Sequence, residues 1–147
     1  MTNKLKACVV GTPIEHSLSP IIHNAAYVHM NLNWEYSREE VSIADFDKRI
    51  AGLMSDGYVG FNITMPCKEA AYRFCDFVNG SAKRLKSVNT IVLRGGITHG
   101  YSTDGDGFVN FFIDEKIQIS GRKIAVIGSG GAASSICDAL YNAGGKV

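Results

Sequence analysis

Gly60-Phe61-Asn62-Ile63-Thr64-Met65-Pro66-Cys67-Lys68 decides the fold class, because it joins a buried strand to a helix in one short stretch. Gly60 to Thr64 reads as the end of an apolar strand. Pro66 forbids further ladder pairing and pre-sets the backbone for a helix's first turn. Lys68 then stands just past a strand's carboxyl end, where open α/β sheets place their ligand contacts. A helix N-terminus carries partial positive charge and disfavours a cation. A solvated structural lysine has no reason to prefer that spot, whereas a lysine aimed at a substrate oxygen does.

On both sides of this stretch strands and helices alternate. Ala7–Gly11 is a short β-branched run, and Ser19-Pro20 opens a helix to about Met30. Trp34–Glu39 is the next strand. Ser42 or Asp45 caps a helix through Met54, whose Ile43, Phe46, Ile50, Leu53 and Met54 share one face. Tyr58–Thr64 is a strand, Pro66–Phe74 a helix and Ser81–Leu85 a helical turn. Val88–Leu93 and Ile97–Tyr101, joined at Arg94-Gly95-Gly96, form a hairpin. Asp104 to about Glu115 is helical, with Phe108, Phe111 and Phe112 as packing residues. The pattern predicts an α/β three-layer sandwich with a mostly parallel sheet and an antiparallel edge. Residues 1–103 form its first unit, with 104–119 as an interdomain helix. From 120 to 147 an incomplete Rossmann-type β-α unit follows, with a strand at Lys123–Ile127, a helix to about Asn142 and a last strand starting at Lys146. Such an orphan unit is expected to pack on the first domain or to self-associate with another copy.

Composition excludes several classes. The chain has 147 residues with 15 basic and 14 acidic side chains, a net charge of +1. That balance gives no footprint for nucleic acid or anionic membrane. No apolar run approaches the roughly 20 residues that span a bilayer, and the start lacks a signal peptide's apolar core. Cys8, Cys67, Cys75 and Cys137 make no Cys-x-x-Cys pair and read as reduced thiols of a cytoplasmic protein. His16, His23, His29 and His99 lack metal-ligand spacing, so no metal is expected.

Several motifs have a structural and a chemical reading. Gly128-Ser129-Gly130-Gly131-Ala132-Ala133 follows an apolar strand and precedes a helix. Gly128 permits the turn, Gly130 lets the backbone approach a pyrophosphate, and Ala133 stands in for a third glycine. An ordinary strand-to-helix turn is the plainer reading. No Gly-Lys-Ser/Thr follows, so this is not an NTPase loop. Ser19 is accounted for as the N-cap of the Pro20 helix, while Ser17 and Ser19 together also suit a carboxylate at a helix N-terminus. Asp104 is an N-cap candidate too, yet an aspartate beside a lysine would hold the ammonium in place. Asn89 either satisfies backbone groups or binds a ligand.

Taken in order, these motifs resemble the shikimate dehydrogenase family. Gly11 to Pro20 with His23-Asn24 is similar to its opening motif, and Asn62 to Lys68 to its catalytic lysine segment. Ser87-Val88-Asn89-Thr90, Thr103-Asp104-Gly105 and the glycine loop follow in sequence. The resemblance implies NADP-dependent reduction of 3-dehydroshikimate to shikimate in aromatic amino-acid biosynthesis. It implies Lys68 and Asp104 as catalytic residues, Ser17 and Ser19 on the substrate carboxylate, and Thr64 and Asn89 on ring hydroxyls. Gly128, Gly130, Gly131 and Ala132 would meet the cofactor. An ordinary lysine, with a pKa of about 10.4, is charged at neutral pH and suited to donating a proton. The family has Asn-Thr-Asp where this chain has Ser102-Thr103-Asp104, which loosens the loop's expected bonding. A paralogous or non-catalytic binding domain for quinate-like hydroxylated acids is the alternative. Family members also carry a full cofactor domain, so this stretch alone is expected to be inactive.

Overall fold

The computed structural model describes residues 4–147. Its elements are β1 (Leu5–Gly11), α1 (Ser19–His29), β2 (Trp34–Glu40), α2 (Phe46–Ser55), β3 (Tyr58–Ile63) and α3 (Lys68–Phe74). Then come β4 (Phe77–Val78), α4 (Gly80–Leu85), β5 (Thr90–Arg94), β6 (Ile97–Tyr101), α5 (Asp104–Asp114) and α6 (Gly131–Asn142). The strands form one sheet in the order β2-β1-β3-β5-β6-β4.

Pairings along the sheet give its directions. β1 is parallel to β2 and β3, β5 is antiparallel to β3 and β6, and β4 is parallel to β6. Only β5 therefore opposes the rest. The sheet is mostly parallel, as expected, but its reversed strand lies inside and not at an edge. The edge is held by β4, whose two residues are too few for a periodicity to show. The hairpin forms as read. Gly95 and Gly96 both take positive φ (58° and 81°), which lets a two-residue turn follow the strand twist.

Alternation along β1 splits the core into two layers. Cys8 and Val10 join Phe61, Ile63 and Ile91 against Phe46, Ile50 and Leu53 of α2 and Ala70 and Ala71 of α3. Ala7 and Val9 face the other way, with Ile14, Tyr36 and Tyr27 of α1. Phe46, Ile50 and Leu53 are each at most 1% exposed, and burying such side chains contributes about 1.5–3 kcal/mol apiece.

The last third differs from its sequence pattern. Lys123–Ile127 is not a strand, and its single bridge is the parallel contact Lys123–Lys146. A run with one bridging partner has no ladder to join, and Ile127 is fully solvated (101% exposed). Phe108 and Phe111 are also exposed, at 36% and 57%, because α5 packs on α6 and leaves its outer side uncovered. The unit does pack on the first part of the chain. Ser135 of α6 receives the Gly105 N–H, and Arg84 of α4 makes a bidentate pair with Asp138.

Candidate active site

A turn brings Lys68 to its place. The strand ends at Ile63, one residue short of Thr64, and Cys67 N–H donates to the Thr64 carbonyl at 3.0 Å. Pro66 thus lies in the turn and not in the helix, which begins at Lys68 after Cys67 as N-cap. Val88 N–H donates to the Lys68 carbonyl (3.0 Å), tying the start of α3 to the segment before β5. Asn89 lies just ahead of β5, fixed by its own N–H to Tyr101 and by Ile63 N–H to its carbonyl.

Asp104 is the first residue of α5, and the N-cap is Thr103, so the capping role expected of Asp104 is not the one it fills. Its carboxylate instead meets Lys68 Nζ through Oδ2 and Asn89 Nδ2 through Oδ1, each at 2.5 Å. Their side chains keep partial solvent access, 23% for Lys68 and 34% for Asp104. Asn89 also accepts the Thr103 N–H at Oδ1 (3.0 Å), which ties the Ser102-Thr103-Asp104 loop down. Ser102 itself is buried against Ser135 (3.3 Å between hydroxyls), and its carbonyl accepts from Ser81. The loop is therefore well bonded, and Ser102 bears on the packing of α6.

Ser17 and Ser19 flank Leu18 at the start of α1. Leu18 is the N-cap of α1, without a side-chain bond, so Ser19 is not the cap that the sequence suggested. Ser17 Oγ donates to Ser19 Oγ (3.1 Å) and accepts the Ser19 N–H (3.3 Å), while Arg38 Nε holds the Ser17 carbonyl at 2.9 Å. Among the described residues these two hydroxyls bond to each other, and neither is hydrogen-bonded to Lys68 or Asp104.

A cleft of about 700 Å³ opens beside the lysine, with Thr64, Pro66, Lys68 and Ser87 on one wall and Gly130, Gly131 and Ala132 on the other. A Cβ added to Gly131 would sit 3.9 Å from Lys68 Cδ. Gly128 turns the chain behind them with a φ of 141°, a conformation few side chains tolerate. Gly130 is the N-cap of α6, and no side chain caps that helix. Its first N–H groups are thus free of side-chain acceptors and suited to an anionic group. Residues expected to bind cofactor and the lysine therefore share one cleft. Among the described residues, no group of three or more His, Cys, Asp or Glu side chains could hold a metal ion. Nor is any described helix long and apolar enough to cross a membrane.

Sequence motifs did not single out Tyr36 or the link between Asn62 and Thr90. Tyr36 Oη donates to Asn62 Oδ1 (2.6 Å), and Asn62 Nδ2 to Thr90 Oγ1 (3.3 Å). Burial pushes the Tyr36 phenol well above its ordinary pKa and pulls the stacked His23 below its own.

A family model described as the shikimate dehydrogenase substrate-binding domain matches residues 9–91. The chain is 40% identical over 136 residues to a shikimate dehydrogenase (NADP(+)) of Caldanaerobacter subterraneus subsp. tengcongensis, covering 92% of this chain and 49% of that protein. It superposes on shikimate 5-dehydrogenase from Listeria monocytogenes, solved with shikimate and NAD, at a TM-score of 0.92 and 30% identity. That match covers 98% of this chain and 50% of the other. The ligand-free 5-ketofructose reductase of Gluconobacter sp. strain CHM43 matches at a TM-score of 0.90 and 27% identity, over 99% and 52% of the two chains. The chain spans about half the length of the curated relatives it matches.

Proposed function

The chain belongs to the family of shikimate dehydrogenase substrate-binding domains, and on that premise we propose that it supplies the substrate-binding and catalytic half of an NADP-dependent reduction of 3-dehydroshikimate to shikimate. The observation that carries this reading is the convergence of Lys68, Asp104 and Asn89 through two 2.5 Å bonds. When the ketone is reduced its oxygen gains negative charge. The Lys68 ammonium offsets that charge and donates the proton, while Asp104 holds the ammonium in position. Asn89 and Thr64 hold ring hydroxyls, and Ser17 and Ser19 receive the carboxylate at the start of α1. The reduced cofactor, NADPH, when bound would supply the hydride and be left as NADP+. Gly130, Gly131 and Ala132 fit it, since they line the cleft that holds Lys68 at the uncapped α6 N-terminus, with Gly128 making the turn behind them. The reading places the protein in cytoplasmic aromatic amino-acid biosynthesis.

A second reading is favoured by the likeness to 5-ketofructose reductase: the same lysine and carboxylate serving another polyhydroxylated substrate, quinate-like acids included. Calorimetric titration of the 147-residue chain separates the two. Shikimate is expected to bind without turnover, and Lys68→Ala to weaken it by roughly tenfold or more, about 1.4 kcal/mol. Heat with quinate alone moves the assignment to the second reading. No heat with either acid overturns both.

A further inference from the structure

We propose that Tyr36 is a positioning residue for the Lys68–Asp104 site, acting through a hydrogen-bond chain that fixes which way the Asn62 amide points. The proposal rests on the reading of that site as one for a hydroxylated acid. Tyr36 is on β2, two strands from Asn62, and must reach across β1. The register allows it, because Tyr36 is paired with Ala7 and Ala7 with Gly60, two small residues that leave room along that row. The ring itself is held still. Asn24 bonds both the N–H and the carbonyl of Tyr36 at 2.9 Å, and His23 stacks on it with centroids 4.2 Å apart. That gives the His23-Asn24 pair a physical task that the catalytic residues leave unexplained.

Polarity runs outward from a fixed point. The Thr103 N–H only donates, so it marks the Asn89 atom it meets as oxygen and turns the Asn89 N–H toward Asp104. Thr90 Oγ1–H donates to that same Asn89 oxygen (3.1 Å), so Thr90 is left to accept from Asn62 Nδ2. Asn62 Oδ1 then faces Tyr36, whose hydroxyl must be the donor. Without the hydroxyl, no group among the described residues donates to the oxygen end of Asn62. A reversed amide would draw the Thr90 proton away from Asn89, the residue that steadies Asp104.

Tyr36→Phe keeps the ring, its stack and its backbone clamp. In the ligand-free chain, NMR is expected to show the side-chain amide signals of both Asn62 and Asn89 displaced. Thr90→Val, which cuts the chain from the other side, should displace the same signals. Unchanged amide signals in both variants overturn the proposal, whether or not any acid binds. In titrations with shikimate, Tyr36→Phe should weaken binding roughly tenfold. The pair Tyr36→Phe with Asn62→Ala should bind no more weakly than Asn62→Ala alone. Fully additive losses would mean that the phenol acts by packing, and would equally overturn the proposal. A wild-type chain that fails to bind shikimate counts against the proposed function, while the amide signals still decide the role of Tyr36.

Discussion

Asp104 accepts two charge-assisted bonds at once, and its worth to the fold differs from its worth to the chemistry. Asp104→Asn keeps the shape but sets an amide N–H against either the Asn89 N–H or the Lys68 ammonium. Bonds to charged groups contribute more than neutral ones, yet both side chains keep solvent access, so a stability loss of only about 1 kcal/mol is expected in urea unfolding. Shikimate affinity should fall much further, by more than about tenfold. Lys68→Met should cost less stability than Asp104→Asn, since Asp104 keeps Asn89 and water. An Asp104→Asn chain that binds shikimate normally would sink the assignment. The Lys68–Asp104 contact could be anticipated because Pro66, two residues before Lys68, and Gly105, next to Asp104, mark strand-to-helix junctions. The capping task expected of Asp104 was not filled, because a nearby ammonium and amide compete for the carboxylate more strongly than a backbone N–H. Tyr36 was illegible. Its partner depends on a register across three strands, which no local spacing encodes.

Helix α5 comes so close to α6 that one position admits no side chain. A Cβ on Gly105 would lie 2.2 Å from the Ser135 carbonyl oxygen and 2.8 Å from Ala139 Cβ. Nothing in the φ of Gly105 demands glycine, so the requirement is one of approach between elements. Gly105→Ala should force the two helices apart, at the cost of about 1–3 kcal/mol typical of overpacking. Because Gly105 adjoins Asp104, the same shift should weaken shikimate binding, whereas Gly107→Ala, with open space at its Cβ, should do neither. Thermal unfolding and titration of both variants check this. Helices were placed well by their apolar faces, although the caps expected of Ser19 and Asp104 are not formed and Pro66 lies in the turn before its helix. Strands were read less well. β4 is too short to carry a period, and Lys123–Ile127 has a strand's composition without the neighbours that would make it one.

Across the whole molecule, burial is uneven. One layer of the sheet packs a continuous set of buried side chains from β1, α2, β3, α3 and β5. Beyond Asp104 the buried apolar side chains among the described residues are only Ile119 and Leu140. What secures the last third is mostly polar and specific: the Arg84–Asp138 pair, the Gly105–Ser135 bond and the contact of α5 with α6. Segments with few buried apolar contacts open at lower free energy than the core. Hydrogen exchange should therefore divide the chain into two tiers, with α6 amides less protected than those of β1, β3 and β5. Acid should widen the gap. The Arg84 guanidinium holds the Asp138 carboxyl below its ordinary range. Its stabilisation is full above the unfolded carboxylate value, about 3.9, and is lost as pH falls through the lower folded value. Protection of α6 relative to the sheet should thus decline below about pH 4. In Arg84→Gln it should already be low at pH 7 and change less with acid. Equal protection of α6 and β1 at every pH, in both proteins, would show that the glycine-loop helix and the sheet open as one unit and that the Arg84–Asp138 pair does not hold them together.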